Sequence, residues 1–361
     1  MTHLDKDRLD KAFAVVERAV LSGETPSGVL AVADRHSLLD CRAYSALGAQ
    51  KPATTDTIFL TASISKPIVA TMLMQLVDDG VVTLADPVSL YVPEFEAPGK
   101  PAVALWHLLT HTSGLQEETW HDVLRRGVLS EVRDAYLRAA CDSPLAFTPG
   151  SSYLYCTLSF RLLAEAVTRV RGRTYQDELR ARVLAPAGMV DTAFDPAEVD
   201  PTGLRTSSVE GVDPRFVPFF TTLASPGGGL WSTAADLVRF GQAFLNDGQA
   251  AGGPLLSPAT VALMTREHTT GLLDLGAVGG ITPPVQAHYG LAWSKQAYDG
   301  WRVGSPRAFG HDGVTGTRLW IDPEYDLVYV YLTNDWESTS TLKDRALGAV
   351  YGALTGDRGR A

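Results

Sequence analysis

Strand-forming runs lie at both ends of this 361-residue chain with a long helix-forming stretch between them, so a sheet here has to be assembled from the two termini. Near the start, Gly28 to Ala33 and Leu38 to Tyr44 are separated by Asp34-Arg35-His36, which reads as a hairpin. Near the end, Thr317 to Ile321 and Leu327 to Thr333 flank the turn Asp322-Pro323-Glu324-Tyr325-Asp326. Helical patterns dominate from about 67 to 190. A first helix is expected over Asp7 to Leu21, with Leu9, Phe13, Val16, Ala19 and Val20 on one face, and a last one from Thr341 to Leu354. The pattern predicts an α/β sheet domain closed from residues 1–66 and 225–361, with a helical domain, 67–224, inserted.

Composition narrows the class of function. Hydrophobic residues make up 45% of the chain, enough apolar surface to offset chain entropy, which excludes a disordered protein. A net charge of −10 and the lack of any basic run interleaved with aromatics argue against a nucleic-acid partner or binding to anionic membranes. No apolar run approaches the roughly 18 residues of a membrane span. The charged N-terminal residues lack the apolar core of a signal peptide. Cys41, Cys141 and Cys156 are widely spaced and form no C-x-x-C pair. A reduced, cytoplasmic setting is the expectation. There is no H-E-x-x-H pair or Cys/His set with zinc-ligand spacing, so no metal and no cofactor are expected.

Ser63-Ile64-Ser65-Lys66 matches the S-x-x-K pattern of serine acyl-transfer enzymes. The spacing has a helical reason: positions i and i+3 share a face, so a lysine can lean over the serine hydroxyl. A pattern this short arises about once by chance in such a chain, and Ser340-Thr341-Leu342-Lys343 is a second copy. Context separates them. The first copy leads into a helix with Val69, Met72, Leu73, Leu76 and Val77 on one face and Gly80 as its stop. The second sits in the polar cluster Ser338-Thr339-Ser340-Thr341 and reads as a helix cap with a solvated Lys343.

From about residue 10 to residue 350 the sequence resembles the serine β-lactamase-like superfamily, in its branch of class C enzymes, DD-peptidases and family VIII carboxylesterases. The resemblance is carried, in order, by Thr57 to Pro67, by Leu108-Leu109-Thr110-His111-Thr112-Ser113-Gly114-Leu115, and by Phe147-Thr148-Pro149-Gly150 with Tyr155. Gly228 to Asp236 and Gly310-His311-Asp312-Gly313 complete it. It implies an α+β fold: an antiparallel sheet flanked by N- and C-terminal helices plus an inserted all-helical domain, with the active site in the cleft between them. It also implies that Ser63 is the nucleophile, Lys66 its base and Tyr155 a proton relay. The oxyanion hole would be the backbone N–H groups of Ser63 and Val314. Substrate would meet Thr157, His311 and Gly313.

Two departures bear on substrate. The family's Y-x-N reads Tyr155-Cys156-Thr157, so a hydroxyl replaces an amide that can donate and accept at once. His311 stands where others carry the lysine of K-T-G, and a histidine is largely neutral at pH 7. Both point from carboxylate-bearing antibiotics toward small carboxylic esters. A D-amino-acid peptidase or amidase, a weak β-lactamase, and a non-catalytic binding module on the same fold remain open. Tyr289-Gly290-Leu291-Ala292-Trp293 reads as a substrate wall contacting through Trp293, while Trp106, Trp120, Trp231, Trp301 and Trp320 are further cleft candidates. His111 reads as a helix end satisfying backbone groups near Gly114. Thr233 and Asp236 read as a helix capping box.

Overall fold

Helix α1 (Lys6–Leu21) begins where the Asp5 carboxylate accepts the backbone N–H of Arg8, satisfying a donor that has no helical partner. The computed structural model describes residues 4–96, 100–116, 132–209, 223–276, 285–295, 302–336 and 340–355. Strands β1 (Ser27–Ala33) and β2 (Leu38–Ser45) form the expected hairpin, whose turn is held by the Asp34 carboxylate accepting from the His36 and Ser37 N–H groups. The central helices are α2 (Ser65–Asp78), α3 (Leu158–Arg171) and α4 (Ala234–Leu245). Toward the C-terminus come β3 (Phe309–Asp312), β4 (Arg318–Asp322), β5 (Leu327–Leu332) and α5 (Leu342–Ala353).

The two chain ends meet inside one sheet. Its order is β2-β1-β5-β4-β3 with every neighbour antiparallel, and Val29 of β1 lies opposite Leu332 of β5. On the outer face α1 and α5 bury Phe13, Val16, Leu347 and Val350 against Leu30, Val32 and Tyr329. On the inner face Leu237, Phe240 and Phe244 of α4 pack on Val29, Ala31, Ile321 and Val328. A Cβ at Gly241 would come within 2.7 Å of a Val328 methyl, so glycine there lets α4 lie close on the sheet. The same apolar cluster continues into α2 and α3. Helix α2 is buried on almost every side from Ser65 to Leu76, wider than its one apolar face, with its polar members Ser65, Lys66, Thr71 and Gln75 hydrogen-bonded inside. Gly80, at φ +68°, follows its end.

Several local expectations are corrected. Thr233 does accept the Asp236 N–H, but the Asp236 carboxylate does not return to complete a box. It takes the Asp191 N–H and the Thr192 hydroxyl, both at 2.8 Å, and Arg239 at 2.6 Å. Lys343 is not solvated: it pairs with Asp312 at 3.1 Å. Trp231, Trp293 and Trp320 are core residues at most 2% exposed, whereas Trp120 and Trp301 lie outside the described residues. Among the described residues no helix is long and apolar enough to cross a membrane.

Candidate active site

Ser63 sits on a single tight turn, Ala62–Ile64, that runs directly into α2. Ala62 adopts a left-handed φ of +48°, a conformation that costs an alanine about 1–2 kcal/mol. Neighbouring side chains hold it there. The Thr61 N–H and hydroxyl both donate to the Leu230 carbonyl, and Thr317 Oγ1 donates to the Thr61 carbonyl. Ser65 Oγ donates to the Ala62 carbonyl at 2.6 Å and accepts the Leu230 N–H. Backbone strain held by surrounding bonds is a recurrent mark of functional turns.

Lys66 is fully buried, with Nζ 2.9 Å from Ser63 Oγ and 2.7 Å from the Gly227 carbonyl. The same Nζ lies 4.7 Å from the centroid of the Tyr155 ring and 5.6 Å from that of Phe160. The helical spacing of the motif therefore does bring lysine to serine, and the chain near 155 brings the tyrosine ring beside Lys66. A Cβ at Gly227 would meet the Thr157 methyl at 2.6 Å; only glycine lets that carbonyl pass Thr157 to reach Lys66. Ser340 and Lys343 make no such pair. Ser340 Oγ accepts the Leu342 N–H and donates to Glu24.

The end of β3 abuts the serine turn. A Cβ at Gly313 would stand 2.5 Å from the Thr61 carbonyl and 3.2 Å from Ala62 Cβ. Thr315 Oγ1 donates to the Leu60 carbonyl across the same seam. Val314 is 41% exposed, and its N–H takes no backbone partner among the described residues. Gly313→Ala is expected to push this seam apart and lower the rate of Ser63 acylation about 100-fold, since small misplacements of reacting groups carry that cost. Acylation kinetics with a chromogenic ester measure it, and an unchanged rate would refute the role given to this close approach.

His311, on β3, is buried and its pKa is lowered to about 4, first by that burial and then by the nearby charge of Lys66. Neutral imidazole has one donor and one acceptor nitrogen. Nδ1 lies 2.8 Å from the Asp312 carbonyl, which only accepts, so Nδ1 carries the proton. Nε2 then accepts from the Tyr289 hydroxyl at 2.9 Å. Burial pushes Tyr289 well above its ordinary value, keeping that hydroxyl protonated. Both ring nitrogens of His311 are thus taken up within the protein.

Tyr289, not Trp293, is the residue of its segment that reaches the cleft. Ala292 takes φ +61° and donates its N–H to the Leu109 carbonyl, which swings Trp293 into the core between Phe244 and Phe309, each with its ring centre 5.0 Å away. The Glu267 carboxylate anchors the segment from the other side, accepting the Thr269 N–H and hydroxyl and the Tyr289 N–H. Beyond His311 opens a cavity of about 320 Å³ lined by Tyr153, Tyr155, Asp274, His288, Tyr289 and Ser294. His111 also belongs here. It follows the short helix Leu105–Leu109 rather than capping it, and its ring centre lies 4.4 Å from that of Tyr155. The segment Tyr289 to Trp293 is marked in the sequence, but not that Tyr289 is its member at the cleft, and no sequence pattern marks His111 as a site residue.

A buried lysine held against a half-buried serine at the start of a buried helix, beside an antiparallel sheet, is the arrangement of the β-lactamase-type serine hydrolases. The chain belongs to the Beta-lactamase family, whose model matches residues 12–353, and it is a serine hydrolase of that fold. It is 32% identical over 304 residues to penicillin-binding protein 4 of Amycolatopsis lactamdurans, covering 81% of this chain and 76% of the other. It is 30% identical over 371 residues to esterase EstB of Burkholderia gladioli, covering 91% and 90%. Among solved structures, a family VIII carboxylesterase superposes with a TM-score of 0.78 at 19% identity, over 98% of this chain and 99% of the other.

Proposed function

We propose that this protein hydrolyses small, uncharged carboxylic esters through an acyl-enzyme on Ser63. The observation that carries the reading is the internal use of both His311 nitrogens, which leaves no donor at that position for a substrate carboxylate. The short hydroxyl of Thr157, where relatives in the superfamily present an amide, supports the same preference, as does the likeness to esterase EstB.

In this mechanism Ser63 Oγ attacks the ester carbonyl while its proton passes to the neutral form of Lys66 2.9 Å away. The carbonyl oxygen takes up negative charge between the N–H groups of Ser63 and Val314, each such donor stabilising it by on the order of 3 kcal/mol. The carbon–oxygen bond to the alcohol then breaks. The proton held by Lys66 passes, with Tyr155 as relay, to the departing alkoxide, and the alcohol leaves. Water repeats the sequence from the vacated side: its proton goes to Lys66, its oxygen bonds the acyl carbon, and Ser63 leaves with the returned proton. Microscopic reversibility gives both halves the same groups.

The direct test compares p-nitrophenyl butyrate with nitrocefin and D-alanyl-D-alanine peptides. Turnover of the ester with little of the other two is expected; faster cleavage of the peptide or the cephalosporin would overturn the reading. Tyr289→Phe probes the carrying observation itself. Freed from the tyrosine, His311 Nε2 can take up a proton while Nδ1 stays on the Asp312 carbonyl. As a donor to a substrate carboxylate it is expected to raise activity on a carboxylate-bearing ester relative to its neutral counterpart about tenfold, the worth of one hydrogen bond to a charged group. An unchanged ratio would show that His311 does not set this preference.

A further inference from the structure

Three buried contacts converge on the chain segment that carries Tyr155, and all come from His111. Its backbone carbonyl accepts the Leu154 N–H at 2.9 Å, and its Nδ1 accepts the Cys156 N–H at 3.1 Å. Its ring packs against Tyr155 with centres 4.4 Å apart and planes 36° from parallel. The tyrosine is therefore gripped on both backbone neighbours and on its ring by one residue. We infer that His111 is the positioning residue for Tyr155, holding its phenol ring in register over Lys66. The inference rests on the proposed role of Tyr155 as proton relay.

The residue type follows from the geometry. His111 adopts φ +57°, a left-handed conformation that histidine and asparagine tolerate better than most side chains. Cys156 is fully buried, so its N–H needs an acceptor at that place, and an apolar side chain would leave it unsatisfied at full cost. Because the Cys156 N–H can only donate, Nδ1 must be the unprotonated nitrogen. The ring is kept neutral first by its complete burial and then by the nearby charge of Lys66. The groups facing it are Lys66, His311, Tyr153, Tyr155 and Tyr289, with Phe160 closing the cage. No carboxylate is among them. The remaining proton sits on Nε2, which is buried and has no hydrogen-bond partner among the described residues.

The test separates acceptor from bulk. His111→Leu keeps the volume and removes the acceptor; His111→Asn restores an acceptor at the δ position and accepts the left-handed φ; His111→Gln is polar but places its amide one bond too far. With p-nitrophenyl butyrate, the Leu and Gln variants are expected to lose about 30-fold in kcat with KM changed less than about threefold, within the range of a mispositioned acid–base group. The Asn variant is expected within about fivefold of the wild type. The alkaline limb of the kcat profile should move in Leu and Gln but not in Asn. Amide hydrogen exchange at Cys156 reads the clamp without any reaction: protection falls in Leu and Gln and is retained in Asn. Should Leu fail to fold, Asn against Gln makes the same comparison. Equal kcat in Asn and Gln, or unchanged exchange at Cys156 in Gln, would overturn the inference. Failure of the ester reading looks different: the wild type itself would not turn over the ester, while the exchange comparison would still decide whether His111 holds the Tyr155 segment.

Discussion

Ser63→Ala is expected to abolish ester hydrolysis and labelling by a fluorophosphonate probe together, with kcat falling on the order of 10⁴- to 10⁶-fold. The size of the loss follows from covalent catalysis: without the hydroxyl no acyl-enzyme forms, and what remains is binding plus the oxyanion donors. Lys66→Ala should lose nearly as much, because Ser63 and Lys66 act as a unit 2.9 Å apart and their effects should not add. Ser340→Ala is the control. Its hydroxyl is engaged by Glu24 and the Leu342 N–H, so label and activity should be unchanged. Label that survives in Ser63→Ala and disappears in Ser340→Ala would overturn the assignment.

The largest expected effect on stability lies behind the site, at Arg318. Its side chain is fully buried and donates to both Asp312 oxygens at 2.6 and 2.7 Å and to Asp344 at 2.6 Å. Burial alone would raise the Asp312 carboxyl, but Arg318, then Lys343 and Arg302, overcome that and hold it well below the usual carboxylate range. Arg318→Met removes the fully buried partner of two carboxylates that are 22% and 26% exposed and keep Lys343 and Arg302 beside them. The cost is therefore expected near the lower end of the about 3–5 kcal/mol of a broken buried pair. The pH dependence has a definite sign. In the wild type the folded Asp312 is more acidic than the unfolded one, so its contribution is complete above about pH 4 and is lost as pH falls further. In Arg318→Met burial is no longer outweighed by the guanidinium, and the charged carboxylate is what destabilises. The deficit in melting temperature should therefore be larger at pH 7 than at pH 4. Equal deficits at the two pH values would show that lost packing, not the stranded charge, sets the cost.

That network also ties stability to the site, because the Asp312 carbonyl accepts the His311 proton that commits Nε2 to Tyr289. Arg318, Asp312, His311 and Tyr289 thus form a connected line from beneath α5 to the cleft wall. Sequence reading reached its two middle members through the Gly310-His311-Asp312-Gly313 segment. Arg318 carries no such mark, and the bond of Tyr289 to His311, 22 residues away, is not written in the wall segment that contains it.

Legibility followed the range of the interaction. Helix α1, the β1–β2 hairpin, β4, β5 and α5 were predicted to within a residue or two because each rests on periodic burial or turn chemistry inside its own segment. Strand β3 is four residues long, with a glycine and a buried polar histidine in it, and carries no alternation to read. The Ser63–Lys66 spacing was legible because both lie on one local turn of chain. Trp293 was expected at the cleft and lies in the core, since the positive φ of Ala292 reverses the segment and a pattern of residue types does not record such a turn. His111 was taken for a helix end because a polar residue before Thr-Ser-Gly resembles one. Its actual partners, the Leu154 and Cys156 N–H groups, are more than 40 residues distant.

By itself the sequence determined the elements, the family and the pairing of serine with lysine, all of which depend on short-range periodicity or on motifs in a set order. Only the tertiary structure decided which side chains line the cleft and what they are already bonded to. Whether His311 can greet a carboxylate depends on which hydrogen bonds its two nitrogens have already made, and those are closed by Tyr289 and a backbone carbonyl brought in from elsewhere. A histidine's chemistry is set by its partners, and partners are fixed by folding, not by the residue written at that position.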